Sequence, residues 1–282
     1  MNASAAGTFT LGNHVVNRMG FGAMRITGQG VWGPPPDPEA AKKVLHRVLD
    51  LGVNLIDTAD SYGPAVSEEL IAAALHPYPR DLVVATKGGL VRPGPGRWDA
   101  DCRPEHLREA CDASLNRLKV DRITLYQLHT IDAAVPLEDS VGTLAELKQE
   151  GKIEHVGLSN VSVEQLRRAL RIDSVVSVQN RYNVSDRHSE TVLDECEQRG
   201  IEFLPWFPLA NRSLTGETSP LDVVAKRLEA TAGQVALAWL LHRSPVMLPI
   251  PGTSSIDHLE ENVAAAALQL SDDDMKSIEE SA

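Results

Sequence analysis

From Pro38 onward the chain alternates two kinds of stretch. Short runs of apolar residues, without polar alternation, are followed by longer stretches in which apolar positions recur every three to four residues. The short runs predict strands at Val53–Ile56, Leu82–Thr86, Ile123–Leu128, Ile153–Leu158, Val175–Gln179, Ile201–Trp206 and Val246–Ile250. The longer ones predict helices at Glu39–Leu51, Ser67–Leu75, Pro104–Leu118, Leu137–Gln149, Val163–Leu170 and Glu190–Arg199. Four more follow at Leu221–Glu229, Gln234–His242, Ile256–Ala267 and Asp272–Glu280. The punctuation agrees: Gly52, Gly151 and Gly200 stand where helices end, Pro104 opens one, and Ser162 with Gln165 forms a weak capping box. Ahead of this repeat, Thr8–Leu11 and His14–Asn17 flank Gly12-Asn13 and read as a hairpin, and Met19–Phe21 reads as the first strand of the repeating series.

Strands that are apolar on both faces belong to parallel sheets covered on both sides. About eight strand–helix units in 282 residues, with no linker or break in composition, predict one domain over residues 1–282. Its fold class is α/β: a (β/α)8 barrel of the TIM type, with an N-terminal β-hairpin and extra helices near the C-terminus. The GxGxxG fingerprint of a dinucleotide-binding open sheet is missing after the first strand.

A net charge of −12 argues against nucleic acid or an anionic membrane as the main partner. Cys102, Cys111 and Cys196 form no CxxC pair and read as reduced structural thiols. The N-terminus lacks the basic start and apolar core of a signal peptide, and no apolar run reaches membrane-spanning length. A cytoplasmic protein is expected. Oligomeric state is not legible, and a monomer is the default.

Barrel enzymes carry their chemistry where the strands end. Those positions hold Asp57, Lys87, His129, Ser159-Asn160, Gln179 and Trp206, with Tyr62 just beyond Asp57. Each has a plain alternative. An Asp–Lys pair can be structural, a strand histidine is often a bonded core residue, Ser159-Asn160 can cap the helix that follows, and Trp206-Phe207 can be core. Their joint placement at strand ends favours chemistry. A phenol beside an ammonium can give a proton to a carbonyl oxygen: Lys87 is expected to lower the Tyr62 pKa, Asp57 to hold Lys87, and His129 to orient the oxygen. The histidines and carboxylates lack metal-ligand spacing, so no metal is expected.

The segments GFGAMR, IDTADSYG, ATKGG, YQLH, GLSN, VQNRYN, FPL and IPGTSS…HLEEN resemble those of the aldo-keto reductase family along the whole chain. The resemblance implies a barrel that binds NADP(H) in extended form and transfers a hydride to an aldehyde or ketone. It makes Tyr62 the general acid, with Lys87, Asp57 and His129 assisting. It also implies that Ser159, Asn160 and Gln179 bond the nicotinamide carboxamide while Trp206 stacks on its ring. Gly22, Met24, Asp57, Phe207 and Ile250 would border that end, and Pro208, Leu209 and Ala210 the pyrophosphate. Gly252, Thr253, Ser254 and Ser255 would hold the 2′-phosphate, with Glu261 and Asn262 on the adenine. Relatives often place Lys or Arg in the 2′-phosphate segment, whereas here only His258 is present, with Arg212 a further source of charge. Hydroxyls and amides at the start of the helix near Ile256 can still hold a phosphate, so NADPH is expected, with NADH as an alternative.

For the substrate pocket the expected walls are Trp32 in the loop Gly28–Pro36, Tyr62, Trp98 and His129, in a pocket left open by a short C-terminus. The chain is similar to bacterial pyridoxal reductase-like members of the family, which implies pyridoxal or a broad range of small aldehydes. Two alternatives belong to other classes: a non-catalytic NADP(H)-binding redox sensor subunit, and a barrel lyase using Lys87 as a Schiff base.

Overall fold

The computed structural model describes residues 2–209 and 219–280. Strands β1 (Thr8–Leu11) and β2 (His14–Asn17) pair antiparallel, as the Gly12-Asn13 turn predicts. The central sheet is parallel and takes its strands in chain order: β3 (Phe21–Gly22), β4 (Leu55–Asp57), β5 (Val83–Gly88), β8 (Ile123–Leu128), β9 (Ile153–Ser159), β10 (Val175–Gln179) and β11 (Glu202–Phe203). Between β5 and β8 the chain inserts a two-stranded ribbon, β6 (Leu90–Val91) and β7 (Asp99–Ala100), which the hydrophobic pattern does not predict.

Residues 246–251 close this seven-stranded sheet. The Phe203 amide donates to Val246 O and the Leu248 amide to Phe203 O, while on the other side the Gly20 amide donates to Pro249 O at 3.0 Å. The predicted strand Val246–Ile250 is thus present only as a bridged segment. Pro249 and the following Pro251 have no N–H to give a ladder. Pro205 likewise stops β11 well before the predicted Trp206.

Helices α1 (Pro38–Asp50), α2 (Val66–Leu75), α3 (Pro104–Leu118), α4 (Leu137–Gln149), α5 (Val163–Ala169), α6 (Glu190–Arg199), α7 (Pro220–Arg227), α8 (Ala232–Arg243), α9 (Ile256–Ala264) and α10 (Asp272–Glu280) lie near their predicted spans. Four starts are one or two residues earlier than periodicity suggests, and at α1 and α8 side-chain caps fix them. Asp37 accepts from the Ala40 amide at the head of α1, and Thr231 and Gln234 form a full capping box on α8. No described helix is long and apolar enough to cross a membrane.

Two apolar layers result. Leu55, Val83, Ala85, Leu125, Leu204, Leu248 and Ile250 fill the inside of the ring, and Leu11 and Val16 of the hairpin join them from the strands' N-terminal end. A larger core lies between the sheet and its helices. The three cysteines are buried free thiols, and burial pushes each up to about 12. With one end plugged by the hairpin, the opposite rim, where Asp57, Ser159 and Gln179 end their strands, is left for ligands.

Candidate active site

The buried end of β4 places Asp57 against β5, and Lys87 Nζ donates to Asp57 Oδ2 at 2.7 Å and to the Thr58 carbonyl at 2.8 Å. The other carboxylate oxygen, Oδ1, accepts from Gln179 Nε2 at 2.8 Å and from Gln127 Nε2 at 3.0 Å. A buried pair needs such additional partners to offset its desolvation. Gln127 is a residue that inspection of strand ends misses. The available signal is the period of two along β8, which turns Gln127 and His129 to the same side.

Tyr62 is buried over this pair, with Lys87 Nζ 5.1 Å from its ring centroid. His129 meets Tyr62 edge-on at 5.7 Å, and Trp98, carried by the β6–β7 ribbon, does so at 6.4 Å. His129 Nδ1 lies 3.3 Å from the Ser61 hydroxyl, a second partner not foreseen. The protonation states follow from burial. Burial raises the Tyr62 phenol above its ordinary value, with Lys87 only partly opposing this; the expected net lowering is not found. For Lys87, burial alone would lower the ammonium, but Asp57 and Tyr62 outweigh it and the net direction is upward. Burial and the Lys87 charge hold His129 well below the ordinary imidazole range. Near neutrality the site therefore contains a phenol that keeps its proton, a charged lysine and a neutral imidazole.

Asp57, Tyr62, Trp98 and His129 line a cavity of about 540 Å³ together with Gly22, Met24, Ser159, Asn160, Gln179 and Trp206, with Lys87 buried behind them. Phe207, Pro208, Leu209, Ile250 and Gly252 complete its far wall. Asn160, with a left-handed φ of 60°, donates to the His129 carbonyl and to Ser159 Oγ, and its Oδ1 accepts from Trp206 Nε1 at 3.0 Å. Ser159 Oγ donates to Gln179 O. Trp206 is fixed edge-on by Asn160, and the Arg181 guanidinium lies 5.8 Å from its ring. Phe207 also takes a positive φ, the kind of strain that collects at ligand sites.

A second cavity of about 750 Å³ continues from the first and shares Arg25, Leu209 and Gly252 with it. Thr253, Ser254, His258, Glu261 and Asn262 line it. Ser255 does not: its hydroxyl caps α9 by accepting from the His258 amide. Lys226 of α7 and Arg25 supply cations that the reading of the IPGTSS segment alone overlooks. Trp32 is a correction. It does not line the catalytic cavity, but bridges to Gly63 and lies 5.6 Å from the Arg92 guanidinium, because Arg92 donates to the Val31 and Gly30 carbonyls and gathers that loop beside it. Ala210 and Arg212 fall outside the described residues.

A curled parallel sheet, closed by a bridged segment and carrying a phenol, an ammonium and an imidazole at its rim, is the arrangement of an α/β barrel-type protein with a polar pocket where the strands end. Residues 18–282 match the model of the aldo/keto reductase family. The chain belongs to that family and is an oxidoreductase. It is 42% identical over 281 residues to pyridoxine 4-dehydrogenase of Escherichia coli, covering 98% of each chain. It is 52% identical over 280 residues to an uncharacterised oxidoreductase of Schizosaccharomyces pombe, covering 99% of this chain and 91% of that protein. Among solved structures it superposes on the thermostable aldo-keto reductase Tm1743 with a TM-score of 0.86 at 30% identity, covering 97% of this chain and 98% of that one. It also superposes on an aldo/keto reductase of Klebsiella pneumoniae, in complex with NADP and acetate, with a TM-score of 0.82 at 26% identity; the shares covered are 97% and 94%.

Proposed function

We propose that the chain, folded as a (β/α)8 barrel, reduces an aldehyde or ketone to the alcohol with NADPH. The observation that carries this is the neutral Tyr62 phenol packed against the Lys87–Asp57 pair and His129, at the head of two joined cavities.

The donor set suits the cofactor. Gln179 spends Nε2 on Asp57, so its Oε1 remains to accept from a carboxamide in the cavity that Asn160 and Trp206 also line. Arg25 and Lys226, with the hydroxyls of Thr253 and Ser254, suit the phosphates in the second cavity and favour NADPH over NADH. When bound there, the nicotinamide supplies the hydride. Tyr62 gives its proton to the carbonyl oxygen as that oxygen gains charge, and the fixed Lys87 ammonium stabilises the phenolate left behind. If the Ser61 hydroxyl donates to His129 Nδ1, the tautomer that carries hydrogen on Nε2 is selected, and this N–H orients the same oxygen.

Identity to pyridoxine 4-dehydrogenase supports pyridoxal as the specific substrate within a broader aldehyde range. The Schiff-base alternative fits poorly, since an attacking amine must be neutral whereas Lys87 is paired and pushed further toward its charged form. The test is NADPH oxidation with pyridoxal, 4-nitrobenzaldehyde and methylglyoxal, run on the wild type and on Tyr62→Phe. The variant should bind NADPH normally and lose about 100- to 10,000-fold in turnover. Turnover near wild type would remove Tyr62 from its role, and NADPH binding without turnover of any carbonyl by the wild type would favour a redox sensor.

A further inference from the structure

At the opposite end of the ring from the candidate active site, the β1–β2 turn meets the start of β9. His14, Glu154 and His155 converge there, each offering one ligand atom, and those atoms all lie within 4.8 Å of one another. Among the described residues it is the one place where three histidine, cysteine or carboxylate groups gather in this way. His14 Nε2 stands 3.2 Å from Glu154 Oε2, and the two imidazoles meet edge-on with centroids 5.9 Å apart. All three side chains are partly buried, so the cluster is held rather than splayed into solvent.

The geometry points to a site for a zinc-class divalent transition ion, bound by His14, Glu154 and His155 and clipping the N-terminal hairpin to the barrel. Two imidazoles and one carboxylate are a donor set suited to such an ion, and they leave further positions for water or for the Asn13 side chain. Asn13 already touches both neighbours: Nδ2 donates to Glu154 Oε1 at 3.0 Å, and Oδ1 lies 2.6 Å from His155 Nε2. The turn brings them this close because Gly12 has no side chain; a Cβ there would lie 2.2 Å from His155 Nε2. The competing cation is Arg122, whose guanidinium lies 3.6 Å from Glu154 Oε2 and is mostly exposed, so an ion can displace it at little cost. His14 lies far in sequence from the adjacent Glu154 and His155, which is why no local spacing announces the site.

The site is tested by stripping the purified protein with chelator and titrating zinc calorimetrically, with cobalt(II) as a visible probe of coordination. One equivalent should bind. A hundredfold excess over Kd should multiply the folded-to-unfolded ratio about a hundredfold, which is read as a rise in Tm. His14→Gln and His155→Gln, which keep a polar group at each position, should weaken binding by at least about a hundredfold, beyond what loss of an outer-shell partner costs. Arg122→Ala leaves the ligands intact and should tighten it. Carbonyl reduction without added metal should stay at the wild-type level in all three variants, so this proposal and the reductase reading fail separately. No zinc binding by the wild type at 100-fold molar excess, or binding unchanged in both histidine variants, would overturn the site.

Discussion

At Tyr62 the balance of two opposing effects decides the chemistry. Burial raises the phenol and Lys87 pulls it back only in part, so the group keeps its proton through neutrality. An acid must hold its proton to donate it, and His129 is neutral over the same range. The kcat/KM for carbonyl reduction should therefore be flat from about pH 6.5 to 9, with no inflection near the ordinary histidine value, and should fall only above the ordinary tyrosine value of about 10. An inflection near pH 6.5 that survives in Tyr62→Phe would mean that another group donates the proton. In the proposed mechanism Ser61 acts through His129 rather than on the substrate. Loss of one neutral hydrogen bond is worth about 0.5–1.5 kcal/mol, so Ser61→Ala should lower kcat roughly 2- to 13-fold with little change in NADPH affinity. Lys226→Ala should instead leave kcat intact and raise the KM for NADPH about tenfold or more, while the KM for NADH stays unchanged. A charge-assisted bond to phosphate has that magnitude, and only NADPH carries the 2′-phosphate.

Among the elements, the β6–β7 ribbon shows how one side chain can hold a pocket wall. Arg92 donates to the carbonyls of Gly30, Val31, Ser61 and Arg97, and its guanidinium stacks 3.6 Å from the Trp98 ring centroid. Arg92→Ala should free both Trp98 and the Trp32 loop, and raise KM for aromatic aldehydes several-fold with a smaller effect on methylglyoxal. Equal effects on both would deny Trp98 a part in substrate binding. This ribbon was not legible in the sequence, because two-residue strands around Pro93-Gly94-Pro95-Gly96 leave no period to detect. The strand ends were legible: a largely apolar run that stops at Asp57, Lys87 or His129 marks both the element and its rim residue. The closing segment was half legible, since Leu248 and Ile250 carry a strand's apolar pattern while the flanking prolines remove its donors. Lys226 and Gln127 went unseen for different reasons. The first enters the second cavity from α7, distant in sequence from IPGTSS, and the second lies one step inside a strand rather than at its end.

For the whole molecule, the inside of the ring matters for stability. Glu202 turns inward from β11, between the outward Phe203 and the Ser177 with which it is in register, and neither of its carboxylate oxygens has a partner. Arg18 is the nearby cation, but it donates to the carbonyls of Leu241, Ser244 and Met247 and helps anchor the closing segment. Burial accordingly pushes the Glu202 carboxyl up to about 8, with Arg18 only partly opposing it. Asp60, also pushed up to about 8 by burial and by Glu68, adds a second group of the same kind. An acid whose folded pKa is raised stays protonated in the native state after the unfolded chain has lost its proton. Folding then takes up a proton, and stability falls as pH rises from the unfolded value near 4.5 to about 8. Within that window each group contributes a loss of about 1.4 kcal/mol per pH unit, and below it none. Glu202→Gln removes one such group while keeping its shape. Urea unfolding at pH 5.5, 6.5 and 7.5 should give a stability for the variant that declines less steeply than the wild type by about that slope, so that the two curves diverge toward alkaline pH. Parallel curves would mean that Glu202 is already ionised in the native barrel, held by Arg18 rather than by its proton.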